Sequence, residues 1–97
     1  MSQIDQLNKA FESRVRLGIM SILMVNEWVD YKEIKEKLDL TDGNLASHIN
    51  GLEKMKYLEI RKGFIGKKTN TSYTITRAGK KAFQEHINAL EKLLKGI

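Results

Sequence analysis

The side chains with the most evident chemical purpose lie between Asp39 and Tyr57, in the run DLTDGNLASHINGLEKMKY. Asn44, Ser47, His48 and Asn50 are short hydrogen-bonding groups, and Leu45, Ile49 and Leu52 interleave with them at helical spacing. Placing Ile49 at the centre of a buried face and advancing about 100° per residue turns Gly43, Asn44, Ser47, Asn50, Gly51 and Lys54 outward, with His48 at the side. Such a face suits hydrogen bonding to base edges, because the first turns of a helix lying in the major groove bring short donors and acceptors within reach of them. Gly43 and Gly51 would let the backbone approach a duplex closely, and Lys54 at the far end would meet phosphate. A merely solvated helix face favours Glu, Lys and Ala, which form helices better than Asn, Ser and Gly. Several poor helix formers on one face therefore point to a functional constraint.

Other chemistries lack their residues. The chain has no cysteine, which excludes disulfides and thiolate metal sites. Its two histidines, His48 and His86, have no ligand spacing between them, so no metal or other cofactor is expected. No Ser-His-Asp set, phosphate loop or confined carboxylate pair can be picked out, so catalysis is not expected either. The longest apolar run, Ile19 to Val25, is broken by Ser21 and far too short to span a membrane. No cleavage pattern follows it, and a cytoplasmic protein is expected. Nothing in the sequence identifies a small-molecule effector.

Those readers need elements to hold them. Ninety-seven residues, 41% hydrophobic and 30% charged, suit one soluble domain over 1–97 with a modest core. Leu7 and Phe11, at i and i+4, predict a short first helix. Ser13 can cap a second helix to about Asn26, apolar around nearly its whole circumference and therefore central or shared with another subunit. Trp28-Val29 reads as a short extended piece. Asp30, with Glu33 three residues on, reads as the cap of a two-turn helix, Tyr31 to Leu38. Asp39-Leu40 makes a turn, and Thr41 caps the reading helix, about 41–55. Alternation then replaces the helical period. A hairpin of about 58–76 is expected, with Ile65 to Thr71 as a long polar tip. Thr76 caps a last helix of about 77–95, striped by Phe83, Ile87, Leu90 and Leu94. Two helices joined by a tight turn and followed by a hairpin make a winged helix-turn-helix, mainly α with a small β-hairpin, flanked by N- and C-terminal dimerisation helices.

Charge is distributed unevenly along this order. Met1 to Glu53 carries six Lys/Arg against nine Asp/Glu, whereas Lys54 to Lys81 carries nine Lys/Arg against Glu59 alone. The net +5 is thus concentrated on one part of the molecule, which would steer it toward a polyanion. Lys67 and Lys68 at the wing tip, with Arg61 and Lys62 on the strand before it, would meet phosphate or a minor groove. Arg77, Lys80 and Lys81 open the last helix, against its dipole; a nearby anion or plain surface exposure accounts for them equally well.

These residues resemble the small winged-helix transcriptional regulators of the MarR and ArsR groups. Ser13-Arg14-Val15-Arg16-Leu17-Gly18-Ile19 is similar to the opening S-x-x-R-L-x-I pattern, and Leu40 to Ile49 to the reading helix L-T-D-G-N-L-S-x-H-L. Gly66-Lys67-Lys68, Thr71 to Thr76 and Gly79 resemble the wing, its return strand and the T-x-x-G that follows. The resemblance implies double-stranded DNA as partner, a homodimer, and more often repression than activation. It also implies DNA contacts from Thr41, Gly43, Asn44, Ser47, His48, Asn50 and Lys54. Lys56 stands where the family usually has glycine, and Thr69-Asn70 replaces a frequent Pro-basic pair. Two surplus apolar surfaces point independently to self-association: Ile4, Leu7 and Phe11, and Phe83, Ile87, Leu90 and Leu94. The competing readings are a winged-helix module that binds an acidic protein partner and a nonspecific or architectural nucleic-acid binder.

Overall fold

A hydroxyl oxygen opens each of the three longer helices in the computed structural model, which describes residues 3–96. Ser13 accepts the Arg16 N–H at the start of α1 (Arg14–Met24), Thr41 the Asn44 N–H at the start of α3 (Asp42–Lys54), and Thr76 the Gly79 N–H at the start of α4 (Arg77–Leu94). Each cap satisfies an otherwise orphaned donor and contributes about 1 kcal/mol. Between them lie β1 (Val29–Asp30), α2 (Tyr31–Leu38), β2 (Leu58–Ile65) and β3 (Lys68–Ile75). The strands form one antiparallel sheet in the order β1-β3-β2, with Val29 opposite Tyr73 and Leu58 opposite Ile75. The result is an α+β winged helix.

An eleven-residue helix is marginal alone, so α1 depends on burial. Its Ile19, Met20 and Leu23 are wholly enclosed by side chains from α2, α3 and the sheet, among them Ile34, Leu45, Leu52 and Val29. Burying side chains of this size is worth about 1.5–3 kcal/mol each, which makes α1 the central post of the fold.

Three expectations are corrected. The first helix is two 3-10 turns, Gln3–Gln6 and Lys9–Phe11, because Asn8 between them is extended and its side chain accepts the Ala10 N–H. Asp30 precedes α2 but makes no capping bond; its carboxylate instead accepts from Ser72 Oγ at 3.1 Å and Asn70 Nδ2 at 3.4 Å, tying β1 to β3. The long polar tip is not a loop. Ile65 pairs with Lys68, leaving a two-residue turn, Gly66-Lys67, with Gly66 at φ +64 as the first position of a type II′ turn requires. On α4 the buried residues are Gly79, Phe83, His86 and Ala89, while Ile87, Leu90 and Leu94 stay exposed.

Candidate nucleic-acid interface

The angle between α2 and α3 is fixed before any functional side chain is reached. After Leu38 the chain enters the left-handed region at Asp39 (φ 51), where the Asp39 N–H donates to Glu36 O and the Leu40 N–H to Lys35 O. This is a Schellman ending with aspartate where glycine is usual. Across the turn, Lys35 Nζ lies 2.9 Å from Asp42 Oδ1, and Tyr31 donates its hydroxyl to the same oxygen at 3.0 Å. The bond from Lys35, then that from Tyr31, holds the Asp42 carboxyl below its ordinary range. Asp42 also sits in the first turn of α3, where a negative charge complements the dipole. All three groups are near the surface, so their contribution is to geometry more than to stability.

The face expected to point outward is solvent-exposed. Thr41, Gly43, Asn44, Ser47, Asn50 and Lys54 are all exposed, while Leu45, Ile49 and Leu52 point into the core. Gly43 has open space where a Cβ would stand, so the backbone there is approachable. Gly51 is different: it is half-buried, and the guanidinium of Arg16 lies where its Cβ would stand. His48 lies at the edge, half-buried, its Nδ1 accepting from Arg16 Nε at 3.1 Å. That bond places the remaining ring proton of the neutral imidazole on Nε2. Burial, and then the Arg16 charge, push the His48 pKa down, favouring the neutral ring. His48 is therefore a positioned donor held from α1.

The helix ends in a second Schellman motif. Tyr57 N–H donates to Leu52 O at 3.0 Å and Lys56 N–H to Glu53 O at 2.8 Å, with Lys56 at φ 63. Lysine occupies a left-handed position that favours glycine, as the departure at Lys56 implied. Thr76 Oγ1 donates to Lys56 O at 2.6 Å, so one residue fixes both the end of α3 and the start of α4.

The wing carries its cations on two faces. Strand alternation sends Lys62 to the side of Ile60 and Arg61 to the opposite side, where its guanidinium lies 4.1 Å from the centre of the Trp28 ring. Arg61 is thus already engaged in a cation–π contact. Lys62, Lys67 and Lys68 are exposed. Among the described residues the ion pairs fall on α2, its contact with Asp42, and α4, leaving the cations from Lys54 to Lys81 unpaired.

Comparison with known proteins decides what this arrangement is. The model of the winged helix DNA-binding domain family matches residues 15–94. The chain belongs to the winged helix DNA-binding domain family. An uncharacterised protein of Methanocaldococcus jannaschii is 38% identical over 89 residues, which are 92% of this chain and 97% of that protein. A transcriptional regulator homologue from Pyrococcus horikoshii OT3 superposes with a TM-score of 0.81 at 29% identity, over 99% of this chain and 97% of its own. A zinc-responsive MarR family member of Lactococcus lactis shares the fold at 15% identity, TM-score 0.67, over 91% of this chain and 60% of its own, and a variant of it matches in a complex with DNA. The structural neighbours include both MarR and ArsR family regulators, and at such identities the likeness is one of fold. The family and fold are those of transcriptional regulators rather than enzymes.

In this winged helix domain the residues expected at a dimer interface divide. Phe11 and Phe83 are core residues, 1% and 4% exposed, their rings meeting edge-on with centroids 5.3 Å apart. They close the single chain and leave no surface for a partner, which corrects their expected role. Leu7 is half-buried, whereas Ile4, Ile87, Leu90 and Leu94 are exposed, joined by Leu93. His86 is buried, and its Nδ1 accepts the Asn8 N–H at 2.9 Å. It fastens the N-terminal segment to α4, while Asn8 Nδ2 reaches the Tyr57 hydroxyl.

Sequence reasoning missed Arg16, which supports His48 and covers Gly51, and the Tyr31–Lys35–Asp42 clamp. The opening pattern containing Arg16 was visible, but its partner lies 32 residues away. Among the described residues, no helix is long and apolar enough to cross a membrane.

Proposed function

We propose that the chain is a sequence-specific double-stranded DNA-binding transcriptional regulator that acts in the cytoplasm as a homodimer. The observation that carries this reading is the exposed face of Asn44, Ser47 and Asn50 on a helix clamped at both ends, with membership of the winged helix DNA-binding family behind it. Asn and Ser side chains meet adenine and other base edges, and His48 adds a donor held in place by Arg16. Lys54, Lys62, Lys67 and Lys68 supply charge for phosphates, and Arg61 rigidifies the wing through Trp28. Catalysis has no part in it. A small domain lying across a duplex acts most simply by occluding it, so we read the regulation as repression.

The exposed strip of Ile87, Leu90 and Leu94 on α4, with Ile4 on the N-terminal segment, supports pairing of two copies through their terminal segments. Pairing would set two reading helices about one DNA turn apart, which predicts a palindromic site. Selection of bound duplexes from a random pool tests both statements. A palindromic winner is expected, bound with a salt dependence of about −0.9 per phosphate neutralised, roughly −4 for each protomer if those lysines all engage. Sedimentation at micromolar concentration should show a dimer. Salt-insensitive binding, or a clean 11.2 kDa species, would overturn the corresponding half of the reading.

A further inference from the structure

The wing ends in two apolar side chains that the fold leaves bare. Phe64 is 75% exposed and Ile65 64%, beyond the point where the body covers either face of the hairpin. Their cross-strand neighbours are Thr69 and Lys68, neither of which can bury them. Consecutive positions on a strand face opposite ways, so the tip is apolar on both sides. Gly63 and Gly66 flank the pair with nothing within 4 Å of where a Cβ would stand, which keeps the tip slender. From Ile60 to Ile75 there are four cations, Arg61, Lys62, Lys67 and Lys68, and no Asp or Glu.

An exposed apolar tip is a poor solution for a wing that only neutralises phosphate, since lysine or threonine would serve there without presenting bare strand to aggregation. A second copy of this tip is a poor occupant as well, because it would bring like charges together. An aromatic wedge ringed by cations matches a polyanion whose apolar interior opens between stacked planes. That is a base step of a duplex, where wedges of Phe, Leu, Ile or Met part the bases from the minor groove. Resting on the DNA-binding reading above, we propose that Phe64 enters the minor groove beside the half-site read by α3, partly unstacks one step and bends the duplex. Ile65 packs against the adjoining sugar edge, and Lys62, Lys67 and Lys68 hold the flanking phosphates. The site preference then extends to bases no side chain reads, because flexible pyrimidine–purine steps deform most easily.

The test uses the full chain and the duplex selected above, carrying end-to-end fluorophores for distance and, in a parallel series, 2-aminopurine walked across the flanking positions. Wild type should shorten the end-to-end distance and brighten 2-aminopurine at one flanking position. Phe64→Ala should lose both signals, while its affinity falls by less than about tenfold because lost stacking is offset by unstacking no longer incurred. Phe64→Trp should keep both. Circular dichroism and unfolding of Phe64→Ala should match wild type, since the side chain is outside the core. Tight binding of a straight duplex, or a bend unchanged in Phe64→Ala, would overturn the wedge and leave the DNA-binding reading intact; no binding to any duplex would overturn both. Phe64-dependent binding to phosphatidylserine-containing vesicles without the duplex signals would assign the tip to a lipid surface and equally end the proposal.

Discussion

Replacing Lys56 by glycine should stabilise the fold although it removes atoms. Lys56 occupies φ 63 at the end of α3, in the turn that donates from Tyr57 N–H to Leu52 O and from Lys56 N–H to Glu53 O. A side chain in the left-handed region costs about 1–2 kcal/mol, and glycine relieves that cost. Against this, glycine raises the entropy of the unfolded chain by about 0.4–1 kcal/mol. The side chain is exposed and, among the described residues, enters no ion pair, so no packing or pairing is lost. The net gain is about 0.5–1 kcal/mol, which for a domain of this size raises Tm by roughly 2–8 °C. Urea unfolding at fixed protein concentration measures it, with an unchanged m-value showing that the effect lies in stability alone. Lys56→Ala is the control, since it removes the charge but keeps the Cβ. A Lys56→Gly no more stable than wild type, or a Lys56→Ala that gains as much, would show that Lys56 carries no left-handed strain.

Further expectations follow from single contacts. Gly79→Ala should destabilise by about 1–3 kcal/mol in urea unfolding, because a Cβ there runs into the Tyr57 carbonyl and the Ile75 side chain, outweighing the gain in helix propensity. Gly43→Ala should do the reverse: with open space around it, stability rises by as much as about 1 kcal/mol, while DNA affinity measured on the same preparation falls. His48 should titrate by NMR below the ordinary histidine value of about 6.5. Because its folded pKa is depressed, the stability this contributes is complete above about 6.5 and is lost as pH falls through the folded value. Arg16→Gln should move that titration upward, and no movement would show that Arg16 does not act on the ring.

What the sequence made legible was local. Ser13, Thr41 and Thr76 announce their helices through side-chain chemistry that acts within three residues, and the Leu45–Ile49–Leu52 stripe orients α3 without any knowledge of its neighbours. The failures involve distance along the chain. Asp30 looks like a cap until Ser72, 42 residues on, claims its carboxylate. Gly51 looks outward on a helical wheel until Arg16 is laid over it. Lys68-Thr69-Asn70 is polar and reads as loop, yet the turn at Gly66-Lys67 and pairing with β2 draw it into a ladder. On α4 the wheel correctly collects Ile87, Leu90 and Leu94 on one side, but the inner face is the smaller set of Gly79, His86 and Ala89 around Phe83. Gly79 lies close against the Tyr57 carbonyl and Ile75, and His86 takes the Asn8 N–H, matches no periodicity could reveal.

Binding of Ser47→Ala to two duplexes, the selected site and an unrelated sequence of equal length, both titrated at one salt concentration, distinguishes base reading by α3 from mere phosphate contact. If α3 reads bases, the selected site loses about 1–3 kcal/mol, roughly five- to 150-fold in Kd, while nonspecific binding is unchanged. Equal losses on both duplexes would reduce the α3 face to a phosphate contact, and no loss on either would remove it from the interface.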